Sequence, residues 1–228
     1  MLSAIIVAAG GSRRMGFDKL FAPIAGKSVL AHSINAFERA DSVTEIILVA
    51  RPDRHDEVGE ILCRENFKKV RSIVAGGERR QDSVGAGLEK LNENARYVAV
   101  HDAARPLITS QQIERVYDVS RMHGAAASAE PVTDTLKRAD VDLAVTGSVD
   151  RHQLFAMQTP QIFETKLLRE AYRTIFNQNI VVTDEVSAVE QLGCKVALVV
   201  NEDFNFKITC PRDFLLAEFV LRQRAANT

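Results

Sequence analysis

The sequence has almost no net charge, few cysteines and no long apolar run, and each shortage narrows the classes of function open to it. Its 29 Lys and Arg residues are balanced by 30 Asp and Glu, for a formal charge of −1. That balance argues against a general nucleic-acid binder or a basic membrane-surface protein. Clustered cations therefore point to a small anionic ligand. Cys63, Cys194 and Cys210 lie far apart without C-x-x-C spacing; they offer no zinc site and suit a reducing cytoplasm. No run approaches the length of a membrane span. The apolar start lacks the positive flank of a signal peptide, and arginines follow it at once. The expectation is a cytoplasmic protein. With 46% of 228 residues hydrophobic, disorder is disfavoured and a substantial core is affordable.

The common phosphate-binding fingerprints are also missing. Ala4-Ile5-Ile6-Val7 reads as a buried strand that stops at Gly10-Gly11, with Arg13, Arg14 and Lys19 close behind. Glycine lets a ligand approach bare backbone amides, so a strand, a glycine turn and clustered cations describe a seat for a polyanion. From Gly11 the spacing of a Walker loop reaches Gly16, but Phe17 and Asp18 stand where Lys and Ser/Thr belong. Gly26-Lys27-Ser28 fails because Phe21 occupies the first glycine position, and Ser12 breaks the dinucleotide pattern. A plain strand-to-helix turn with solvated arginines stays open for this stretch alone.

Further along, apolar runs alternate with helical spacing. Leu30, Ile34 and Phe37 mark a helix, Ile46 to Val49 a strand, and Asp53 is placed to cap a helix through Leu62. Val70 to Ala75 reads as a strand ending at Gly76-Gly77; Val84, Leu88 and Leu91 give a helix face, and Tyr97 to Val100 another strand. Thr109 with Gln112 forms a capping box. This rhythm predicts an α/β fold, a mostly parallel sheet flanked by helices, with ligands beyond the carboxyl ends of its strands. The decorated loops at Gly10, Gly76 and Asp102 all fall at such ends. Between Pro131 and about Leu154 the pattern breaks into a hairpin too poor in apolar residues for its own core, which predicts an arm packed on another subunit. Leu167, Ala171 and Ile175 resume a helix, Thr183 is a fair N-cap, Val196 to Val200 reads as a long strand, and Pro211 to Arg224 as a final helix. No linker or repeat divides the chain, so one domain with an arm is expected.

Taken together, the motifs carry a resemblance. Ala8-Ala9-Gly10 with Arg14-Met15-Gly16 and Lys19 resembles the opening of nucleotidyltransferases. Gly76-Gly77-Glu78-Arg79, Asp82-Ser83, His101-Asp102-Ala103-Ala104-Arg105-Pro106, Asp134-Thr135, Val149-Asp150-Arg151, Thr159-Pro160-Gln161, Thr183-Asp184-Glu185 and Lys207-Ile208-Thr209 follow in an order similar to one family. That family is 2-C-methyl-D-erythritol 4-phosphate cytidylyltransferase. The resemblance implies a Rossmann-like nucleotidyltransferase domain, CTP with Mg²⁺ carried mainly on its phosphates, and a homodimer whose arms reach into each other's sites. It assigns Arg14 and Lys19 to the α-phosphate and Arg151 and Lys207 to the substrate phosphate. Gly76, Gly77 and Ser83 would recognise cytosine, with Ala8, Ala9 and Gly10 lining the nucleotide. Asp102 would face ribose or metal, and with Arg105 the methylerythritol hydroxyls. Thr135 and Arg151 would serve the partner's site, and Thr159 and Thr183 would complete the pocket. The chain departs from the family at Ser12, usually glycine, and at Asp18, usually proline, in a shorter loop. An anion at Asp18 would weaken the field of Lys19 or turn away into solvent.

The chemistry suits these residue types. A phosphate nucleophile is already an anion, so no Ser, Cys or His has to be activated, and fixed cations with Mg²⁺ supply what the transfer needs. His101 then reads as a packed neighbour. Plainer roles stay open: Lys207 snorkelling from a strand, Asp102 as a cap, Arg105 in an ion pair. Rival functions are a cytidylyltransferase for another polyol phosphate such as ribitol 5-phosphate, and a silent nucleotide-binding regulator.

Overall fold

The computed structural model describes residues 1–11 and 16–226. The chain opens on strand β1 (Leu2–Ala8), pairs the short β2 (Pro23–Ile24) with β3 (Lys27–Ser28), and enters helix α1 (Val29–Arg39). Strand β4 (Val43–Ala50), helix α2 (His55–Glu65), strand β5 (Val70–Ala75), helix α3 (Arg80–Glu89) and strand β6 (Tyr97–Asp102) continue the alternation. Helix α4 (Ser110–His123) leads to β7 (Ala125–Pro131), the pair β8 (Leu136–Ala139) and β9 (Val145–Val149), and then β10 (Phe155–Glu164). Helices α5 (Thr165–Asn177) and α6 (Glu185–Glu190), strand β11 (Ala197–Val200) and helix α7 (Pro211–Ala226) follow.

Seven strands form one sheet in the order β11-β7-β10-β6-β1-β4-β5. β1 pairs in parallel with both β4 and β6, and β11 in parallel with β7. β10 runs antiparallel to both its neighbours, β6 and β7. From β1 the chain winds outward to β4 and β5 and later crosses to β6 on the other side. The strand order thus reverses beside β1, and at such a point the loops diverge and leave a crevice beyond the carboxyl ends.

Alternation along the strands divides the core between the two faces of the sheet. Leu2, Ala4 and Ile6 of β1 join Ile46 and Leu48 of β4 in one cluster, with Leu30, Ile34 and Phe37 of α1 and Ile113 and Val116 of α4. Ile5, Ile47, Val49, Val98 and Val100 face the other way, onto Val84 and Leu88 of α3 and Leu168, Ala171 and Ile175 of α5. Burying each such side chain stabilises the fold by about 1.5–3 kcal/mol, so register is tightly specified. The helix ends are fixed locally. Ser28 Oγ accepts from the Ala31 amide at 3.2 Å, and the Thr109–Gln112 capping box forms as the spacing predicts. Gly124, at φ +80°, closes α4 in a conformation that favours glycine.

Three local expectations are corrected and two strands are added. Two strands, β7 and β10, were not apparent in the sequence. β7 is alanine-rich and reads as a helix former, but Ala125 to Ala129 are buried between neighbouring strands, and tertiary burial overrides propensity. β10 carries Pro160 and two glutamines in its middle; its ladder with β7 shifts between Met157 and Gln161, which accommodates the proline. Asp53 does not cap α2. It sits in a 3-10 turn at Pro52–Arg54, paired with the Arg51 side chain at 2.8 and 3.0 Å, and α2 begins at His55. The cap of α6 is Asp184, one residue after Thr183; its carboxylate accepts from the Ser187 amide at 3.0 Å. The expected long strand at 196–200 is only the short edge strand β11. β8 and β9 pair with each other, Leu136 opposite Val149, and belong to no larger sheet.

Candidate active site

A cavity of about 310 Å³ lies at the carboxyl ends of β1 and β6, at the reversal of strand order. Val7, Ala9, Gly10 and Gly11 form its β1 wall, and Asp102 and Ala104 its β6 wall. Gly77 and Ser83 close a third side, and Lys19, Arg79, Arg80 and Lys207 bring cations to it from remote parts of the chain. The alternation of β1 decides which residues face it. Val7 and Ala9 look toward the cavity, whereas Ala8, 8% exposed, turns into the opposite core cluster.

The glycines differ in what requires them. A Cβ at Gly76 would collide with Ala9 and crowd Ser83 Oγ, and one at Gly77 would collide with the Asp82 side chain. Here the protein's own packing demands glycine. Ser83 Oγ accepts from the Gly77 amide at 3.1 Å and fixes the turn. A Cβ at Gly10 would meet nothing within 4 Å. No neighbour forbids a side chain there, so the glycine keeps that part of the β1 wall clear.

Asp102 is the electrostatic centre. Its Oδ1 accepts from Arg80 Nε at 3.0 Å and its Oδ2 from Lys207 Nζ at 2.7 Å. Burial alone would raise its pKa, but the two cations, with Arg105 nearby, hold the carboxyl well below the usual range. Lys207 stands on no strand, contrary to one sequence reading. Its segment is pinned by Asn205 Nδ2 to the Thr159 carbonyl at 2.8 Å and by the Ile208 amide to the Ala104 carbonyl at 2.8 Å. Lys19 Nζ donates to the Ile208 carbonyl at 2.6 Å, so Lys19 and Lys207 share one anchoring segment.

Behind Asp102 lies a buried polar layer. His101 is fully buried and packs on Phe37, ring centroids 5.0 Å apart. Its Nε2 donates to the Arg105 carbonyl at 3.3 Å, which leaves Nδ1 to accept from Thr159 Oγ1 at 3.0 Å. Thr159 Oγ1 in turn accepts from the Asp102 amide at 3.1 Å. Burial pushes the imidazole down to about 3, so it stays neutral. Arg105 donates to the carbonyls of Asn205 (2.8 Å) and Met157 (3.3 Å). Thr159 and Arg105 thus lie behind the cavity wall, where they hold its backbone.

The other candidates divide. Arg14 lies outside the described residues. Thr135, Arg151 and Thr183 are exposed and stand apart from the cavity; Arg151 Nη1 donates to the Thr133 carbonyl at the base of the hairpin. Asp18 turns from the cavity toward Arg51 and Arg54, 3.8 and 3.4 Å away, and is largely buried there. Sequence reasoning missed Arg80, Glu185 and Glu78. Arg79 and Arg80 stand in tandem and both line the cavity: Arg79 is exposed and pairs with Asp82, while Arg80 points inward to Asp102. Glu185 stood in the Thr183-Asp184-Glu185 motif but was given no role there. Glu78 joins Asp102 on the cavity wall. Among the described residues no three His, Cys, Asp or Glu side chains gather as a metal cluster. Two wall carboxylates fit a Mg²⁺ ion that arrives on a phosphate chain rather than in a protein cage.

Comparison with known proteins places this geometry. The family profile described as IspD: 2-C-methyl-D-erythritol 4-phosphate cytidylyltransferase matches residues 2–223. The enzyme of that name from Halalkalibacterium halodurans is 40% identical over 224 residues, covering 97% of both chains. Its counterpart from Caldanaerobacter subterraneus is 41% identical, covering 97% of this chain and 99% of the relative. The crystal structure of 4-diphosphocytidyl-2C-methyl-D-erythritol synthase from Anaerococcus prevotii superimposes with a TM-score of 0.85 at 31% identity, covering 97% and 96%. The crystal structure of 2-C-methyl-D-erythritol 4-phosphate cytidylyltransferase from Thermus thermophilus gives 0.80 at 32%, covering 96% and 98%. With its fold, its motifs and nearly its whole length in agreement, the chain belongs to the 2-C-methyl-D-erythritol 4-phosphate cytidylyltransferase family.

Proposed function

We propose that the protein transfers CMP from CTP to 2-C-methyl-D-erythritol 4-phosphate and releases pyrophosphate, in the cytoplasm, on the non-mevalonate route to isoprenoids. Beyond family membership, the convergence of Lys19, Arg80 and Lys207 on one cavity carries this reading. An oxygen of the substrate phosphate attacks the α-phosphorus of CTP. The new P–O bond forms as the bond to the β-phosphate bridging oxygen breaks, and pyrophosphate leaves. Both reactants are anions, so the fixed positive field brings them together and takes up charge on the equatorial oxygens.

In this reading Lys19 and Arg14 act at the α-phosphate. Lys207 keeps one N–H on Asp102 and turns its other donors to the substrate phosphate, and the remaining acceptor positions of Asp102 face hydroxyls of the bound molecules. Ala9 and Gly10 border the nucleotide, and the turn at Gly76, Gly77 and Ser83 receives the base. Mg²⁺ on the triphosphate, within reach of Asp102 or Glu78, would neutralise its charge. The whole chain acts as one nucleotidyltransferase domain and pairs as a homodimer through the hairpin. Val141, Leu143 and Val145 are 95%, 85% and 67% exposed there, and Arg151 and Thr135 stand outside their own chain's cavity. A partner's arm would complete each site.

Pyrophosphate release with CTP, Mg²⁺ and one polyol phosphate at a time tests the reading. Turnover with 2-C-methyl-D-erythritol 4-phosphate is expected. Turnover with ribitol 5-phosphate alone, or CTP binding without release, would overturn it.

A further inference from the structure

Glu185 has no solvent exposure, lies outside the cavity wall, and has no place in the reaction described so far. Its carboxylate receives Arg80 twice, Nη1 on Oε1 at 2.6 Å and Nη2 on Oε2 at 3.0 Å. Tyr172 Oη donates to Oε1 at 3.0 Å, and the Glu185 amide donates to Gln161 Oε1 at 3.1 Å. The remaining face of Arg80 is spent on Asp102 through Nε. One planar group is therefore gripped along two edges by two carboxylates, which fixes its plane as well as its place.

A fully buried carboxylate costs several kcal/mol in lost hydration, and an apolar core of the same shape often stabilises a fold as well or better. Stability alone is therefore a poor reason for its presence. Its geometry supplies another. Arg80 borders a cavity proposed to hold a triphosphate. Without a counter-anion behind it, its guanidinium would swing toward those phosphates and strengthen ground-state binding. Asp102 would then lose one of its two cations and keep only Lys207, the group proposed to meet the substrate phosphate. Burial opposes the charge on Arg80, but Glu185 and Asp102 outweigh it and raise its pKa.

We propose that Glu185, braced by Tyr172, is a positioning residue for the transfer: through Arg80 it holds Asp102, and through Asp102 the Lys207 ammonium, in the arrangement the reacting phosphate meets. This proposal deepens the cytidylyltransferase reading and rests on it. It leads to a kinetic signature that simple loss of structure does not produce. Neutralising Glu185 lowers kcat while the KM for CTP stays level or falls, because one anion has left the surroundings of an anionic ligand. The loss also vanishes once Lys207 is gone, since Glu185 acts through it.

The test compares Glu185→Gln and Tyr172→Phe in the wild-type and Lys207→Ala backgrounds, with CTP and 2-C-methyl-D-erythritol 4-phosphate. A charged hydrogen bond of this kind predicts a kcat about 10–100-fold lower for Glu185→Gln and about threefold lower for Tyr172→Phe, with no rise in the KM for CTP. In the Lys207→Ala background both losses shrink to less than about twofold. A kcat within about twofold of wild type for Glu185→Gln, or losses that multiply fully with Lys207→Ala, would overturn the proposal. If Glu185→Gln does not fold, Tyr172→Phe decides by the same two criteria, because it leaves both carboxylates and Arg80 intact. Absence of turnover in the wild-type protein would instead sink the reading on which the proposal stands.

Discussion

The cavity rim and the β8–β9 hairpin both carry basic residues assigned to one reaction, yet they are built in opposite ways. At the rim the fold holds its cations: Lys19 on the Ile208 carbonyl, Arg80 between Asp102 and Glu185, Lys207 on Asp102. At the hairpin Arg151 is exposed and bonded within its own segment, and the apolar tip faces solvent. An isolated two-stranded ribbon is marginal in water. The rim is preorganised by one chain, whereas under the proposed homodimer the hairpin would gain its order and its use from a second.

Breaking the rim should have the largest effect. Lys207→Ala is expected to lower kcat by about 100-fold or more while the melting temperature changes little, because it removes a cation from the reacting phosphate and leaves the core untouched. Steady-state kinetics beside a thermal melt would check this, and unchanged turnover would remove Lys207 from the reaction. The hairpin is probed next by subunit mixing. Arg151→Ala should be nearly inactive alone, but mixed with Lys207→Ala it should regain up to about a quarter of wild-type activity, from heterodimers with one intact site. No regain on mixing would place Arg151 in its own chain's site. Replacing Val141 and Leu143 with Asp should shift the protein toward monomer by sedimentation while the secondary structure measured by circular dichroism persists.

Smaller effects sharpen the contrast between buried and exposed charge. His101 is held at about 3 against an ordinary 6.5. Its contribution to stability is complete above pH 6.5 and is lost as the pH falls toward 3, since only the unfolded chain takes up the proton in that window. Between pH 7 and 5.5 this amounts to about 1 kcal/mol. Urea denaturation at the two pH values should show that difference, and His101→Gln should lack it. At α7, Asp213 accepts from the Thr209 and Cys210 amides at 2.7 and 2.9 Å; Asp213→Ala should cost about 1 kcal/mol and leave kcat unchanged.

The parallel half of the sheet was legible because its strands carry runs rich in β-branched residues, as at Ile5 to Val7 and Ile46 to Val49, and because the first and the Val70 to Ala75 strand end at glycine turns. That half also announced the site through Gly10, Gly76 and Asp102. The other half was hidden for physical reasons. Alanines in β7 and the Gln-Thr-Pro-Gln centre of β10 obey tertiary packing rather than propensity. Motif order led to Lys19, Lys207 and Asp102, whose cavity lining the fold then supplied. It could not lead to Glu185, which lies 105 residues from Arg80 in the chain and meets it only through burial. Nor could it decide which way Asp18 turns, which depends on Arg51 and Arg54 at the end of another strand.

The stitching of Asn205 and Ile208 onto Thr159 and Ala104 has a consequence for biosynthesis. As the ribosome delivers the chain, β1 through β6 are available long before Lys207 emerges. A nascent or prematurely terminated polypeptide then has the crevice and Asp102, but neither Lys207 nor the carbonyl that receives Lys19. Products truncated before this segment would therefore be inert in the proposed reaction, and competence would arrive only once it has been translated.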